Sequence, residues 1–304
     1  MKAVYTFADL QSWETVTADE EFPLRLAVIG DPVAHSASPQ MHNAALAACD
    51  LPMRYCRLHL RPKELADALK LLPAKGFVGI NCTIPHKGAV LAAVDEVDPG
   101  AARAGGVNTV IVEPVSGRLR GFSTDGPGLE RAVREQLEME LRGARVLILG
   151  AAGGAGRAVA MQCASAGVAA LTLVNRSVEK LTPLQQAIAA VFPSLSLSTA
   201  SMTDDALAQV LPEVDLVINC SALGMDPSDP SPVPAKLLTA HHRLYDTIYT
   251  SHHTPLMRAG DEVDAHSANG LAMLLHQGAL SFEYWFNRPA PLEVMRRALA
   301  EAKG

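Results

Sequence analysis

The stretch Arg145-Val146-Leu147-Ile148-Leu149-Gly150-Ala151-Ala152-Gly153-Gly154-Ala155-Gly156-Arg157 decides the fold class. Val146 to Leu149 is an unbroken apolar run, which suits a strand buried on both faces rather than one with a wet side. The small residues that follow let a backbone turn come close to a ligand. The segment after them, to Ala166, has helical composition. A helix starting there would point free N–H groups and the positive end of its dipole at an anion such as a pyrophosphate. A strand-to-helix turn without a ligand can also be this rich in glycine, so the end of the next strand carries weight. Leu171 to Val174 leads into Asn175-Arg176-Ser177, with Lys180 close behind. An NAD site usually places Asp or Glu there to hold the ribose 2′-hydroxyl. Two cations and two short polar side chains suit a 2′-phosphate instead, since arginine can pair with it bidentately. NADP is the expected cofactor; the alternative is that Arg176 and Lys180 are ordinary surface charges.

Outward from this stretch, strand-like and helix-like segments alternate. In the N-terminal half, Leu26 to Ile29 predicts a buried strand ending at Gly30, Gln40 to Cys49 a helix, and Tyr55 to Leu60 a strand. Pro62 opens a helix, Gly79 to Ile84 is strand-like, and Thr109–Val112 and Leu119–Phe122 flank a Ser116-Gly117 turn. In the C-terminal half, helices are expected over 178–191 and near 204–210, and strands at 195–197 and 215–219. The segments 271–285 and 291–302 are helical. Such alternation predicts an α/β protein with mostly parallel sheets covered by helices. Residues 1–23 receive no role. Arg142-Gly143-Ala144 is the most obvious break.

Composition narrows the function classes. With 304 residues, two domains of ordinary size fit. A net charge of −6 without a basic tract excludes a nucleic-acid surface, though not a local pocket for a small anion. No apolar run approaches the roughly 18 residues that span a bilayer, and no signal peptide is expected. The scattered Cys49, Cys56, Cys82, Cys163 and Cys220 form no C-x-x-C pair, so a reduced, cytoplasmic protein is expected. His35, His86, His241-His242 and His252-His253 match no metal-ligand spacing, and no metal is assigned.

Polar residues gather where strands of the first half end. His35-Ser36-Ala37-Ser38-Pro39 follows the first strand, and Asn81-Cys82-Thr83-Ile84-Pro85-His86-Lys87 follows the strand at Gly79. Val107-Asn108-Thr109 and Ser123-Thr124-Asp125 bracket the hairpin. Strand C-termini of an open parallel sheet are where ligands collect. These hydroxyls and amides, with one lysine and one aspartate, suit a small polyol, with room in the pattern for a carboxylate on it. Taken singly, Ser36 and Ser38 also read as helix caps, Lys87 as a solvated lysine, Asp125 as a cap and Cys82 as packing.

In this order, the segments resemble the shikimate dehydrogenase family. The matching runs are Ile29 to Asn43, Gly79 to Lys87, Gly106 to Thr109, Gly121 to Gly126, Asn219 to Met225, Tyr245 to Tyr249, and Gly270 to Leu274 leading to Gln277. The resemblance spans roughly residues 24–288. It implies a substrate domain over 24–126 completed by helices 271–304, a Rossmann-like NADP domain over 127–270, and a catalytic cleft between them. It implies reversible, NADP-dependent reduction of 3-dehydroshikimate to shikimate, within aromatic amino-acid biosynthesis, by a monomer or homodimer. Lys87 and Asp125 are similar to the family's catalytic pair. Ser36, Ser38, Asn81, Thr83, Asn108, Asp125, Tyr249 and Gln277 are similar to its substrate contacts. Gly150, Ala151, Ala152, Gly153, Gly154, Ala155, Asn175, Arg176, Ser177, Lys180 and Gly270 are similar to its NADP contacts. Three features depart from the family: Ser123 stands where Asn is usual, the glycine turn is one residue longer, and Ala272 replaces a glycine. A quinate or aminoshikimate dehydrogenase, with NADP or NAD, and an inactive regulatory protein on the same fold remain as alternatives.

Overall fold

A computed structural model describes residues 2–249 and 253–303; His252 lies outside them. The chain forms two compact units. One comprises the residues up to Thr124 together with those from Gln277 onward, and the other runs from Asp125 to His276.

In the first unit the described residues build a seven-stranded sheet. Its strands are β1 (Tyr5–Thr6), β2 (Leu24–Gly30), β3 (Arg54–His59), β4 (Gly79–Cys82), β5 (Glu96–Val97), β6 (Thr109–Val112) and β7 (Leu119–Phe122). The spatial order is β1-β3-β2-β4-β6-β7-β5. β1, β3, β2 and β4 are parallel, as buried apolar runs require. The sheet then turns antiparallel at β6 and β7, a hairpin in the register Thr109↔Phe122 and Val112↔Leu119. The helix Leu292–Lys303 packs against the helix Ser38–Ala48.

Residues 1–23 lacked a role in the sequence, but part of that segment is core. β1 extends the sheet beside β3, and Tyr5, Leu10 and Trp13 are buried with Leu58 and Phe77. The Trp13 ring lies 5.1 Å from Tyr5 and 5.2 Å from Phe77, within the range of favourable aromatic pairs.

The second unit holds a six-stranded, all-parallel sheet among the described residues: β8 (Arg145–Leu149), β9 (Ala170–Asn175), β10 (Ser196–Ser201), β11 (Leu216–Asn219), β12 (Arg243–Asp246) and β13 (His266–Ala268). Its order is β10-β9-β8-β11-β12-β13. Strand succession therefore reverses between β8 and β11, where open α/β sheets leave a crevice for ligands. The division between the units precedes Arg142–Ala144. The helix Asp125–Leu137 already belongs to the second unit, burying Leu129, Ala132, Val133 and Leu137 in the core formed around Val146, Ile148 and Val159. The helix expected over 178–191 starts as a 3₁₀ turn, Val178–Leu181, because Pro183 suits the first turn of the α-helix Thr182–Val191. No helix among the described residues is long and apolar enough to cross a membrane.

Candidate active site

In the first unit, the polar residues around the ends of β4 and β6 are joined in one buried network. Asn81, on β4 beside Thr109, donates through Nδ2 to the Asn108 carbonyl at 3.2 Å, Thr109 Oγ1 at 3.1 Å and Ser281 Oγ at 2.9 Å. Its Oδ1 accepts from the Tyr55 hydroxyl at 2.8 Å. Asn108 Oδ1 accepts from the Thr124 N–H at 2.8 Å, and Asn108 Nδ2 donates to Thr124 Oγ1 at 2.9 Å and Gln277 Oε1 at 3.4 Å. The Thr109 and Ser281 hydroxyls lie 2.8 Å apart. Such satisfied networks are rigid because breaking one member leaves a buried polar group unpaired. Three of the sequence candidates, Asn81, Asn108 and Gln277, thus meet. Tyr55, Thr124 and Ser281 join them without having been singled out.

Ser36 and Ser38 sit where the loop after β2 becomes a helix. The helix begins at Ser38, and its cap, Ala37, supplies no side-chain bond. Ser36 Oγ accepts from the Ser38 N–H at 3.3 Å, so Ser36 does part of the work of a cap. Arg57 holds the loop by donating twice to the Ser36 carbonyl, at 2.9 and 2.6 Å. Ser38 is buried. After the C-terminal end of β4, Thr83 and Lys87 are half-buried, and Lys87 opens the helix Lys87–Ala93. The Lys87 carbonyl accepts from the Val107 N–H at 3.0 Å, tying the lysine's backbone to the segment before Asn108.

His42 lies beneath this network. It is fully buried, stacks on Tyr55 with ring centroids 4.5 Å apart, and neither ring nitrogen has a hydrogen-bond partner. Burial lowers its pKa from 6.5 to about 3, so the native ring is neutral. The unfolded chain binds this proton below pH 6.5 and the folded chain not until about 3. Its contribution to stability is therefore complete above 6.5 and is lost as the pH falls through that window. His42→Phe keeps a stacked ring and removes the titration. It is expected to lose less stability than the parent between about pH 7 and about pH 4, read by thermal melts. Equal losses would contradict the assignment of acid sensitivity to His42.

The second unit carries the other candidates. Asp125 is buried and is the first residue of its helix. The glycine turn follows β8 as expected. Gly150 has a φ of 72°, and a Cβ there would sit 2.7 Å from the Ser221 nitrogen, so the turn takes glycine for both conformation and space. Gly153 caps the helix Gly154–Ala166 without a side-chain bond, and around Gly154 there is open space. The first N–H groups of a helix that starts in a turn of such small residues suit an anion such as a pyrophosphate. At the end of β9, Asn175 Nδ2 donates to the Ser177 carbonyl at 2.9 Å. Arg176 and Lys180 are exposed there. No carboxylate lies among Asn175, Arg176 and Ser177; the next one along the chain, Glu179, is exposed. Gly270 is fixed by close approach: a Cβ would lie 2.2 Å from the Thr247 carbonyl oxygen. Tyr249 is partly exposed two residues beyond Thr247. Ser221, which packs under the glycine turn, was visible in sequence only within the run Asn219 to Met225.

The chain was compared with known proteins. Residues 28–110 match the family model described as shikimate dehydrogenase substrate binding domain, and residues 270–300 match the shikimate 5′-dehydrogenase C-terminal domain. Shikimate dehydrogenase (NADP(+)) of Symbiobacterium thermophilum is 42% identical over 280 residues, covering 91% of this chain and 94% of that protein. The chain belongs to the shikimate dehydrogenase family. Its relative of the same description from Moorella thermoacetica is 41% identical over 92% of this chain and 93% of its own length. Among solved structures, shikimate 5-dehydrogenase of Thermus thermophilus, in complex with NADP(H) and shikimate, superposes with a TM-score of 0.80 at 36% identity, covering 92% of this chain and 99% of that one. Two departures from the family can be placed. Ser123 is half-buried beside Asp125, and Ala272 is buried in the first turn of the helix Leu271–Phe286. Among the described residues no group of histidine, cysteine, aspartate and glutamate could hold a metal.

Proposed function

We propose that this chain is an NADP-dependent shikimate dehydrogenase, interconverting 3-dehydroshikimate and shikimate. The observation that carries the proposal is the buried amide–hydroxyl network of Asn81, Asn108, Thr124 and Gln277 at the strand ends that also present Lys87. It offers uncharged donors and acceptors to a ring bearing several hydroxyls. Family membership supports the choice of ring.

NADP supplies the hydride acceptor or donor at its nicotinamide. The glycine turn, Asn175, Arg176, Ser177, Lys180 and Gly270 are the residues proposed to hold it. The chain's own groups manage the proton. In the oxidative direction Lys87 takes the proton of the reacting hydroxyl as hydride leaves the same carbon. In the reductive direction the Lys87 ammonium stabilises the developing alkoxide and returns the proton. Asp125 is proposed as its catalytic partner and as a contact for a ring hydroxyl. Asn81, Thr83, Asn108, Tyr249 and Gln277 are proposed to orient the ring. Ser36 and Ser38 are proposed to hold its carboxylate. Five cysteines without a disulfide among the described residues support a reduced, cytoplasmic setting. The proposed assembly is a monomer or homodimer.

Ser38→Ala tests the substrate class. Losing one hydrogen bond to a charged group costs roughly 1.5–3 kcal/mol, so KM for shikimate is expected to rise about ten- to a hundredfold. Ser38 makes no capping bond, so the melting temperature is expected to stay near that of the parent. An unchanged KM with a lowered melting temperature would leave Ser38 as a structural residue.

A further inference from the structure

The run Ser38-Pro39-Gln40-Met41-His42-Asn43 does more than present a serine, because two of its residues, His42 and Asn43, grip one tyrosine on the neighbouring strand. Asn43 brackets the Tyr55 backbone, with Nδ2 donating to the Tyr55 carbonyl at 2.9 Å and Oδ1 accepting from the Tyr55 N–H at 2.8 Å. His42 stacks on the Tyr55 ring, nearly parallel at 12°. Tyr55 itself is fully buried.

This grip fixes what Asn81 can offer. Asn81 Nδ2 faces the Asn108 carbonyl, which only accepts, so the amide cannot be turned over. Its two N–H groups are spent on Asn108, Thr109 and Ser281. Its Oδ1 must then be the atom facing Tyr55, and Tyr55 must donate. One acceptor position remains on Oδ1.

We propose that Tyr55 is a positioning residue: the Asn108 carbonyl sets which way the Asn81 amide faces, and the Tyr55 hydroxyl holds its Oδ1 in place, so that this side of the site selects a substrate hydroxyl and rejects a carbonyl or ether oxygen. The proposal deepens the polyol reading above and rests on it.

Tyr55→Phe keeps the ring and the backbone bracket and removes the hydroxyl alone. The parent is first assayed with shikimate and with quinate, and the variant is compared on whichever ring it turns over. An interaction equally present with bound substrate and in the transition state acts on KM and spares kcat. KM is therefore expected to rise roughly tenfold, the factor that 1.4 kcal/mol represents, with kcat within about threefold. KM does not depend on the fraction of enzyme that is folded, so a partly unfolded preparation still reports it. A variant with parental KM, or one that loses kcat and melting temperature alone, would overturn the positioning role. A parent that turns over neither ring would instead overturn the polyol reading, and the proposal with it.

Discussion

Replacing Lys87 with alanine is expected to lower turnover about 100- to 10,000-fold while changing KM far less. The lysine opens a short helix directly after the strand that carries Asn81, and its carbonyl is tied to Val107 beside Asn108. In the proposed mechanism a group in that place meets the reacting oxygen, and Asn81 and Asn108 meet the rest of the ring. Removing a proton donor and positive charge that matter chiefly in the transition state lowers kcat and kcat/KM together. Steady-state rates with shikimate, paired with a thermal melt, check this. A variant keeping a third of parental turnover would remove Lys87 from the chemistry and leave it as a solvated lysine.

Arg176→Asp is expected to weaken NADP binding on the order of a hundredfold, and to leave NAD binding much less affected. Loss of a charge-assisted pair costs roughly 1.5–3 kcal/mol. The new carboxylate adds repulsion against a 2′-phosphate while recreating the residue type that holds a free ribose hydroxyl. The parent has no carboxylate at the end of β9 itself, and Arg176 and Lys180 are exposed there. Titrating both cofactors into parent and variant measures the ratio directly. A parent that binds NAD as tightly as NADP, or a variant that binds NADP unchanged, would show that these cations do not read the 2′-phosphate.

The parts of this protein legible in the sequence are those whose signal is local. β8, the glycine turn and the following helix are contiguous, so apolar run, small residues and helix composition announce them together. Asn81, Asn108 and Lys87 stood out because polar side chains at strand ends break an apolar pattern. Tyr55 and Ser281 did not. Tyr55 looks like any buried strand aromatic, and its bond to Asn81 spans 26 residues. Ser281 reads as one polar residue in an apolar helix, and its bond to Asn81 spans 200. β1 escaped notice because two residues show no period, yet it places Tyr5 in the core. The residues alone offer Gly143 as the most obvious break, whereas the family resemblance puts the boundary between 126 and 127; the compact units divide between Thr124 and Asp125. There the last network residue, Thr124, and the first helical residue, Asp125, are neighbours in sequence.

One measurement bears most directly on the account: initial rates of the purified chain, followed at the nicotinamide absorbance, with shikimate or quinate and with NADP or NAD in all four pairings. The account predicts the highest kcat/KM with shikimate and NADP. Preference for quinate or for NAD would contradict it in favour of a paralogous dehydrogenase, and no turnover in any pairing would favour an inactive protein on the same fold.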